Sequence, residues 1–340
     1  MPDEAPEAVV RGDTTQPQVI MRLLDSVPPA FALLAGMQLD IFTALSAGPL
    51  SAVQLAHALG VDSDSLERLL YVLVAAEVLT VDDNCFANTQ EANDCLVRGR
   101  PTYFGHEFLT AMWAWLGQTA ETVRTGVPQA RHDYFAMSGN ELLEFFYSLH
   151  PGTLAAGRDL AQRFDFSTRQ TVLDVAGGSG GLAIALCDAY PHLRVTVVDL
   201  PQVTPITERF VGEAGAAGRV QVVAADAVSE TLTGTFHAAT MRAFTQVLAP
   251  QQIRRVLHNT CNVLAPGGVL YIVTRVVDDS RTAPPETVFS DLIFLNVYDD
   301  GRAYTEGQYR EWLTEAGFVD VERIAPPRGD SILVARKPVS

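Results

Sequence analysis

With 340 residues, nearly half of them hydrophobic, the chain has the length for two domains and the apolar mass for a sizeable core. Its formal net charge of −16 argues against polyanion partners, because nucleic acid and anionic membrane surfaces repel an acidic protein. The four cysteines, Cys85, Cys95, Cys187 and Cys261, lack metal-ligand spacing. They read as reduced thiols of a cytoplasmic protein, and no metal is expected.

Residues 1–16 are acidic, polar and proline-containing, without the basic-then-apolar order of a signal peptide, and read as a frayed tail. No apolar run is expected to reach membrane-spanning length. Residues 19–45 are apolar at helical spacing, interrupted by Pro28-Pro29. A helix apolar over so much of its circumference must be covered on more than one side, and in a small leading domain a second subunit is the expected cover. Two further helices follow, from Ser51 to a stop at Gly60 and from Ser63 to Leu73, each opening on an N-cap residue. Two short strands, 78–81 and 85–87, flank the Asp82-Asp83-Asn84 turn. Helix, turn, helix and hairpin is a winged-helix layout. Its second helix offers Arg68 against Asp64 and Glu67, the wrong balance for DNA recognition, so a scaffold role is preferred.

Residues 103–163 carry an aromatic stripe at helical period, including Trp113, Trp115, Tyr134, Phe145 and Phe146. Such a stripe builds either a core or the walls of a pocket for a flat apolar ligand. His150 stands shortly before the next motif. That motif organises the rest: Thr171-Val172-Leu173-Asp174-Val175 has strand character, and Ala176-Gly177-Gly178-Ser179-Gly180-Gly181 leads into a helix. The glycines permit positive φ and close approach of a ligand to the backbone. A second strand ends at Asp199-Leu200, its carboxylate placed where ribose hydroxyls are gripped in nucleotide folds, and a third ends at Asp226-Ala227. Strands 237–242 and 269–273, helices 251–263, 283–300 and 304–317, and a terminal strand pair complete an alternating α/β pattern.

The glycine loop followed by strand-Asp and strand-Asp resembles the class I S-adenosylmethionine methyltransferases. Pro49-Leu50-Ser51-Ala52-Val53-Gln54-Leu55-Ala56, with Leu66-Glu67-Arg68-Leu69-Leu70, is similar to the dimerisation domain of the small-molecule O-methyltransferases, a family that includes acetylserotonin, caffeate and polyketide-tailoring enzymes. The resemblance implies a Rossmann-like domain (166–340) with a mostly parallel sheet and an antiparallel C-terminal strand. It would follow a winged-helix-like dimerisation domain (17–100) and a helical linker and pocket roof (101–165). It also implies a homodimer and a small-molecule acceptor. The cofactor S-adenosylmethionine is placed by Asp174, Gly177, Gly178, Gly180, Asp199, Leu200, Asp226, Ala227 and Arg242. Trp113, Phe146, Phe294 and Tyr298 are expected to line the acceptor pocket.

One departure stands out. The family places a general-base histidine after the fourth strand, and here Met241-Arg242-Ala243-Phe244-Thr245-Gln246-Val247-Leu248 puts Gln246 at that position. This segment is nearer in style to the bacteriochlorophyll C-20 methyltransferase. Gln246 takes no proton at neutral pH, and where the carboxylates that orient the histidine are expected stand Arg275 and Ala303. Three readings stay open: an acceptor acidic enough to need only positioning by Arg242, Gln246 and His150; a substitute base, His150 or a tyrosine; or a family member that holds the cofactor without transferring its methyl. A metabolite-sensing DNA-binding protein is the remote alternative.

Overall fold

A computed structural model describes residues 17–100, 103, 107–326 and 329–339, with only the backbone of 107–110. The expected tail, Phe104 and part of the last hairpin turn lie outside the described residues. The chain divides into two compact units, one up to Gly105 and one from His106.

The first unit contains α1 (Gln18–Asp25), α2 (Val27–Gln38), α3 (Ile41–Ala44), β1 (Leu50–Ser51), α4 (Ala52–Leu59), α5 (Ser63–Ala75), β2 (Leu79–Asp82), β3 (Cys85–Asn88) and α6 (Gln90–Cys95). Ser51 and Gln54 close a reciprocal capping box at the start of α4, and Gly60 ends it in the left-handed conformation at φ 69°. The cap of α5 is Asp62, one residue before the expected Ser63, because its carboxylate accepts the Ser65 N–H at 2.9 Å. Leu55, Leu66, Leu70, Leu73 and Phe86 form the interior under a three-stranded antiparallel sheet in the order β1-β3-β2. In α1 and α2 the apolar side chains Val19, Ile20, Leu23, Leu24 and Val27 face outward. One sequence expectation needs correction here: the 21 helical residues from Gln18 to Gln38 are long and apolar enough to cross a membrane by length and composition. Arg22, Asp25 and the Pro28-Pro29 pair interrupt that run.

The second unit opens with α7 (Glu107–Leu116), α8 (Thr119–Thr125) and the 25-residue α9 (Gly139–Arg163), capped by Ser138 with Glu141. Then come β4 (Thr171–Val175), α10 (Gly181–Ala189), β5 (Arg194–Asp199), α11 (Thr204–Glu213), β6 (Val220–Ala224), β7 (Phe236–Arg242), α12 (Pro250–Val263) and β8 (Leu264–Thr274). The remainder is β9 (Val276–Val277), α13 (Pro285–Val297), β10 (Tyr304–Thr305), α14 (Glu306–Glu315), β11 (Val319–Ile324) and β12 (Ser331–Arg336). Seven strands form one sheet in the order β11-β12-β8-β7-β4-β5-β6. Strands β8, β7, β4, β5 and β6 run parallel, and β12 is antiparallel to both its neighbours.

The period of two explains why these strands are almost continuously apolar. Leu173, Val175, Met241, Leu270, Ile272 and Leu333 belong to one core cluster. Their alternates Val172, Val197, Ala238, Val269, Tyr271 and Val334 belong to another. Both sheet faces are therefore covered by helices, and each fully buried aliphatic or aromatic side chain contributes roughly 1.5–3 kcal/mol. Strand order reverses between β4 and its neighbours β5 and β7, which opens a crevice at their carboxyl ends. The functional residues stand there.

Candidate functional site

At that crevice lies a cavity of about 610 Å³, floored by the strand ends and the glycine loop and roofed by side chains from α9, α13 and the segment before α9. The loop after β4 needs its glycines for specific reasons. At Gly178 (φ 57°), a Cβ would stand 2.7 Å from Cε1 of Phe146, so the backbone meets the roof directly. At Gly177, a Cβ would stand 2.6 Å from Asp174 Oδ2. The loop is fixed from behind by Thr207, whose hydroxyl donates to the Gly178 carbonyl at 2.6 Å.

Asp199 ends β5 with both carboxylate oxygens on backbone: the Gly178 N–H donates to Oδ2 and the Leu200 N–H to Oδ1, each at 2.7 Å. It lines the cavity, and each oxygen keeps a lone pair for a ligand. Burial raises its pKa to about 6, against the opposing pull of those two N–H groups. Asp174, beneath the loop, accepts the Thr240 hydroxyl at 2.8 Å on Oδ1. Its Oδ2 is buried without a partner among the described residues, and burial pushes this carboxyl up to about 7. Arg242, at the end of β7, reaches Thr153 Oγ1 at 3.3 Å, while its Nε is buried and has no partner among the described residues. Burial lowers its pKa. Asp226 is engaged in its own turn, accepting the Val228 N–H at 2.9 Å and the Ser229 hydroxyl at 2.6 Å, so with Ala227 it offers the cavity a fixed wall.

The residues present fit S-adenosylmethionine. An orphaned carboxylate oxygen suits an ammonium, Asp199 with outward lone pairs suits a diol, and the glycine cradle is space that a Cβ would fill. Asp174, Gly177, Gly178, Asp199, Leu200, Asp226, Ala227 and Arg242 all line the one cavity. Gly180 does not; it turns the chain into α10 at φ 70° and packs on Thr207 and Val211.

Part of the wall is aromatic: Phe146, Phe294 and Tyr298, the residues the resemblance put at an acceptor, line the cavity together with Tyr134, Phe145 and His132. Two expected residues stand elsewhere. Trp113, half-buried on α7, does not line the cavity. His150 is also absent from the wall. Its Nδ1 is hydrogen-bonded to Ser179 Oγ at 2.8 Å and its ring stacks on Phe210 with centroids 4.2 Å apart, so it braces the glycine loop against α11.

At the position of the missing histidine, Gln246 is buried and lines the cavity. The residue that orients it is Thr274, whose hydroxyl donates to Gln246 Oε1 at 3.2 Å. Arg275, expected there, turns instead to Asp330 at 2.9 Å. Ala303 packs with Val277 and Phe294. The sequence reading missed Thr274 by one residue and passed over His132, whose signal was its place inside the aromatic stripe, two residues before Tyr134.

A mostly parallel sheet with this strand order, a glycine loop and two carboxylates facing one crevice defines a Rossmann-like methyltransferase domain. Residues 120–319 match the O-methyltransferase domain family and residues 21–98 the O-methyltransferase dimerisation domain. The chain belongs to the O-methyltransferase family and is an S-adenosylmethionine-dependent methyltransferase. It is 32% identical, over 90% of its length and 91% of the relative's, to the 3-hydroxy-5-methyl-1-naphthoate 3-O-methyltransferase of Streptomyces sahachiroi. To the tetracenomycin polyketide synthesis 8-O-methyl transferase TcmO of Streptomyces glaucescens it is 26% identical, over 98% and 99%. Among solved structures, human N-acetylserotonin methyltransferase in complex with SAM superposes with a TM-score of 0.82 at 23% identity, covering 96% of this chain and all of that one.

Proposed function

We propose that this enzyme, as a homodimer, transfers the methyl group of S-adenosylmethionine to a hydroxyl on a flat aromatic or polyketide-like acceptor, and that no proton is taken at residue 246. The observation that carries the reading is the single cavity in which the glycine loop and Asp199 face Phe146, Phe294 and Tyr298, with Gln246 on the wall between them. Of the relatives above, one is named for O-methylation of a naphthoate and the other for O-methylation in polyketide synthesis, which favours oxygen over carbon as the acceptor atom.

The bound cofactor supplies an electrophilic methyl on a sulfonium. The chain supplies the alignment. Asp199 holds the ribose hydroxyls, Gly177 and Gly178 admit the methionine end, Asp174 and Arg242 offer opposite charges to its ammonium and carboxylate, and Asp226 with Ala227 bounds the adenine. The roof sandwiches the acceptor and excludes water. Gln246, with its Oε1 held by Thr274, directs its amide N–H₂ at the acceptor oxygen and orients it toward the methyl. Orientation of this kind supplies roughly 7–11 kcal/mol, against about 3–5 kcal/mol for general-base help.

The test is incubation of the purified protein with S-adenosylmethionine and a panel of hydroxynaphthoates and anthraquinone phenols, with products read by mass spectrometry. A gain of one methyl on oxygen, together with S-adenosylhomocysteine, is expected. Conversion of an acceptor with the cofactor's methyl retained would replace methyl transfer with the repurposed reading. Failure to bind S-adenosylhomocysteine in calorimetry would overturn the cofactor assignments.

A further inference from the structure

Removing the base from position 246 leaves a proton to be placed, and the cavity wall holds an imidazole that the chemistry above does not use. His132 lies in the segment before α9, whose backbone is tied to the end of α13: the Ala130 N–H donates to the Asn296 carbonyl at 3.0 Å and the His132 N–H to the Val297 carbonyl at 2.8 Å. Its ring meets four aromatic rings near-perpendicularly, Trp115 at 4.6 Å, Phe145 at 5.7 Å, Tyr298 at 6.2 Å and Tyr134 at 6.4 Å. Phe145 in turn packs on Phe146, which covers Gly178. Tyr298 leans on Gly301, where a Cβ would stand 2.9 Å from Tyr298 Cβ and 2.4 Å from the Gln246 carbonyl. His132 thus stands on the acceptor side, linked through packed rings to the cofactor loop on one flank and the Gln246 turn on the other.

Its Nδ1 is buried with no hydrogen-bond partner among the described residues. A polar atom that has lost water and gained no protein partner is one contact short, and beside a cavity a ligand or a catalytic role accounts for it. We infer that His132 is the proton acceptor for the acceptor hydroxyl, taking from the roof of the cavity the role that residue 246 has lost. The inference rests on the methyl-transfer reading above.

Other ionisable groups near the cavity are engaged elsewhere or face water. His150 is held by Ser179. Asp330 is paired with Arg275, and Asp299 with Arg131 at 2.8 Å. The Asp133 carboxylate accepts the Phe135 N–H, and Asp300 is exposed to water. Tyr134 and Tyr298, the titratable groups whose rings face the imidazole, are both raised by burial and stay protonated donors. No carboxylate is packed on the ring among these contacts. Burial lowers the His132 pKa, which keeps the imidazole neutral and able to accept at pH 7. In the step, the acceptor O–H bond breaks toward the imidazole as the oxygen lone pair bonds the methyl carbon. The carbon–sulfur pair stays on sulfur, and the imidazolium proton leaves to water.

The experiment compares wild type with His132→Gln and His132→Ala, each checked for an unchanged melting temperature and S-adenosylhomocysteine affinity. The probe is 2-naphthol, whose absorption shifts on ionisation. With a neutral imidazole as base, its pKa lowered by burial, wild-type turnover is flat from pH 7 to 9 and falls only below the ordinary imidazole range. His132→Gln should lose 10²- to 10⁴-fold at pH 7 and then rise tenfold per pH unit with the naphtholate fraction, and added imidazole should rescue His132→Ala. Independently of turnover, the naphthol bound to wild type without cofactor should shift the His132 ring signals in NMR, and the shift should be absent in both variants. A His132→Gln enzyme within tenfold of wild type and with the same pH profile overturns the inference. So does a bound naphthol that leaves the His132 ring signals unmoved. Absence of methyl transfer in wild type with that NMR contact intact would instead overturn the methyl-transfer reading.

Discussion

The Thr274 hydroxyl donates to Gln246 Oε1 across 3.2 Å, Gln246 standing where the family's histidine is expected and Thr274 one residue before Arg275, where an orienting carboxylate is expected. Behind it, Thr245 Oγ1 and the Tyr309 hydroxyl lie 2.7 Å apart, with Thr245, Thr274 and Tyr309 all buried. A wholly neutral network has replaced an ionisable one. It can hold an amide donor in place but cannot accept a proton.

Gln246→Ala should therefore reduce turnover by less than tenfold, about the net worth of one hydrogen bond, while S-adenosylhomocysteine affinity stays unchanged. Steady-state kinetics on a responsive acceptor measure it. A thousandfold loss would mean that Gln246 does more than donate.

Asp199→Ala should weaken S-adenosylhomocysteine binding by about tenfold or more, because a carboxylate gripping a diol makes charge-assisted hydrogen bonds of roughly 1.5–3 kcal/mol. Calorimetry reads the change. Since Asp199 also anchors the Gly178 and Leu200 N–H groups, the milder Asp199→Asn should retain the fold and lose most of the affinity.

The cofactor half of the site was readable in the sequence because its logic is local: a strand, a glycine turn and a carboxylate at the next strand's end fix their own geometry. Asp174, Gly177, Gly178 and Asp199 all reach the cavity accordingly. The acceptor half is assembled from distant segments, so spacing carries little information about it. His150 shares a helix with residues that do line the cavity, yet helix rotation turns it away: Leu149 and Thr153 flank it and reach the wall while it does not, whereas Trp113 stands on α7, no described residue of which is on the wall. Thr274 was missed because the register of β8, with its irregularity between Phe236 and Ala238 of the partner strand, cannot be counted from sequence.

Gly157 on α9 sets the distance from the roof helix to the glycine-loop helix α10. A Cβ there would stand 2.7 Å from Ala185 Cβ and 2.9 Å from the Leu182 carbonyl, and neither has room to withdraw. Gly157→Ala should cost about 1–3 kcal/mol by overpacking. A lower melting temperature and weaker S-adenosylhomocysteine binding are expected together, since α9 also carries Phe146 over Gly178. An unchanged melting temperature would show that the two helices separate freely.

The outward apolar residues of α1 and α2 call for a second subunit. Val19, Ile20, Leu23 and Leu24 are each 58–61% exposed, in a region matching the dimerisation-domain family from residue 21. Light scattering at micromolar concentration should give a dimer, and Leu23→Asp with Leu24→Asp should give monomers. A stable wild-type monomer would contradict the homodimer.

Cofactor binding should depend on pH through the two buried carboxyls. Without ligand, burial holds Asp174 at about 7 and Asp199 at about 6, both above the ordinary carboxylate range. The folded protein therefore binds more protons than the unfolded chain across that window, and these two groups make stability fall as pH rises from about 4 to about 7. A ligand that brings an ammonium to Asp174 and a diol to Asp199 favours the ionised forms, so binding lowers both pKa values and releases protons. Affinity for S-adenosylhomocysteine should then rise with pH from 5.5 to 7.5 and level off above, and the melting-temperature increase it confers should grow over the same range. Calorimetry in buffers of different ionisation enthalpy would detect the released protons near pH 6.5. Affinity independent of pH, with no proton release, would show that neither carboxyl changes its ionisation when the ligand binds. Asp174→Asn should flatten the upper part of the profile and leave the part near pH 6, due to Asp199, in place.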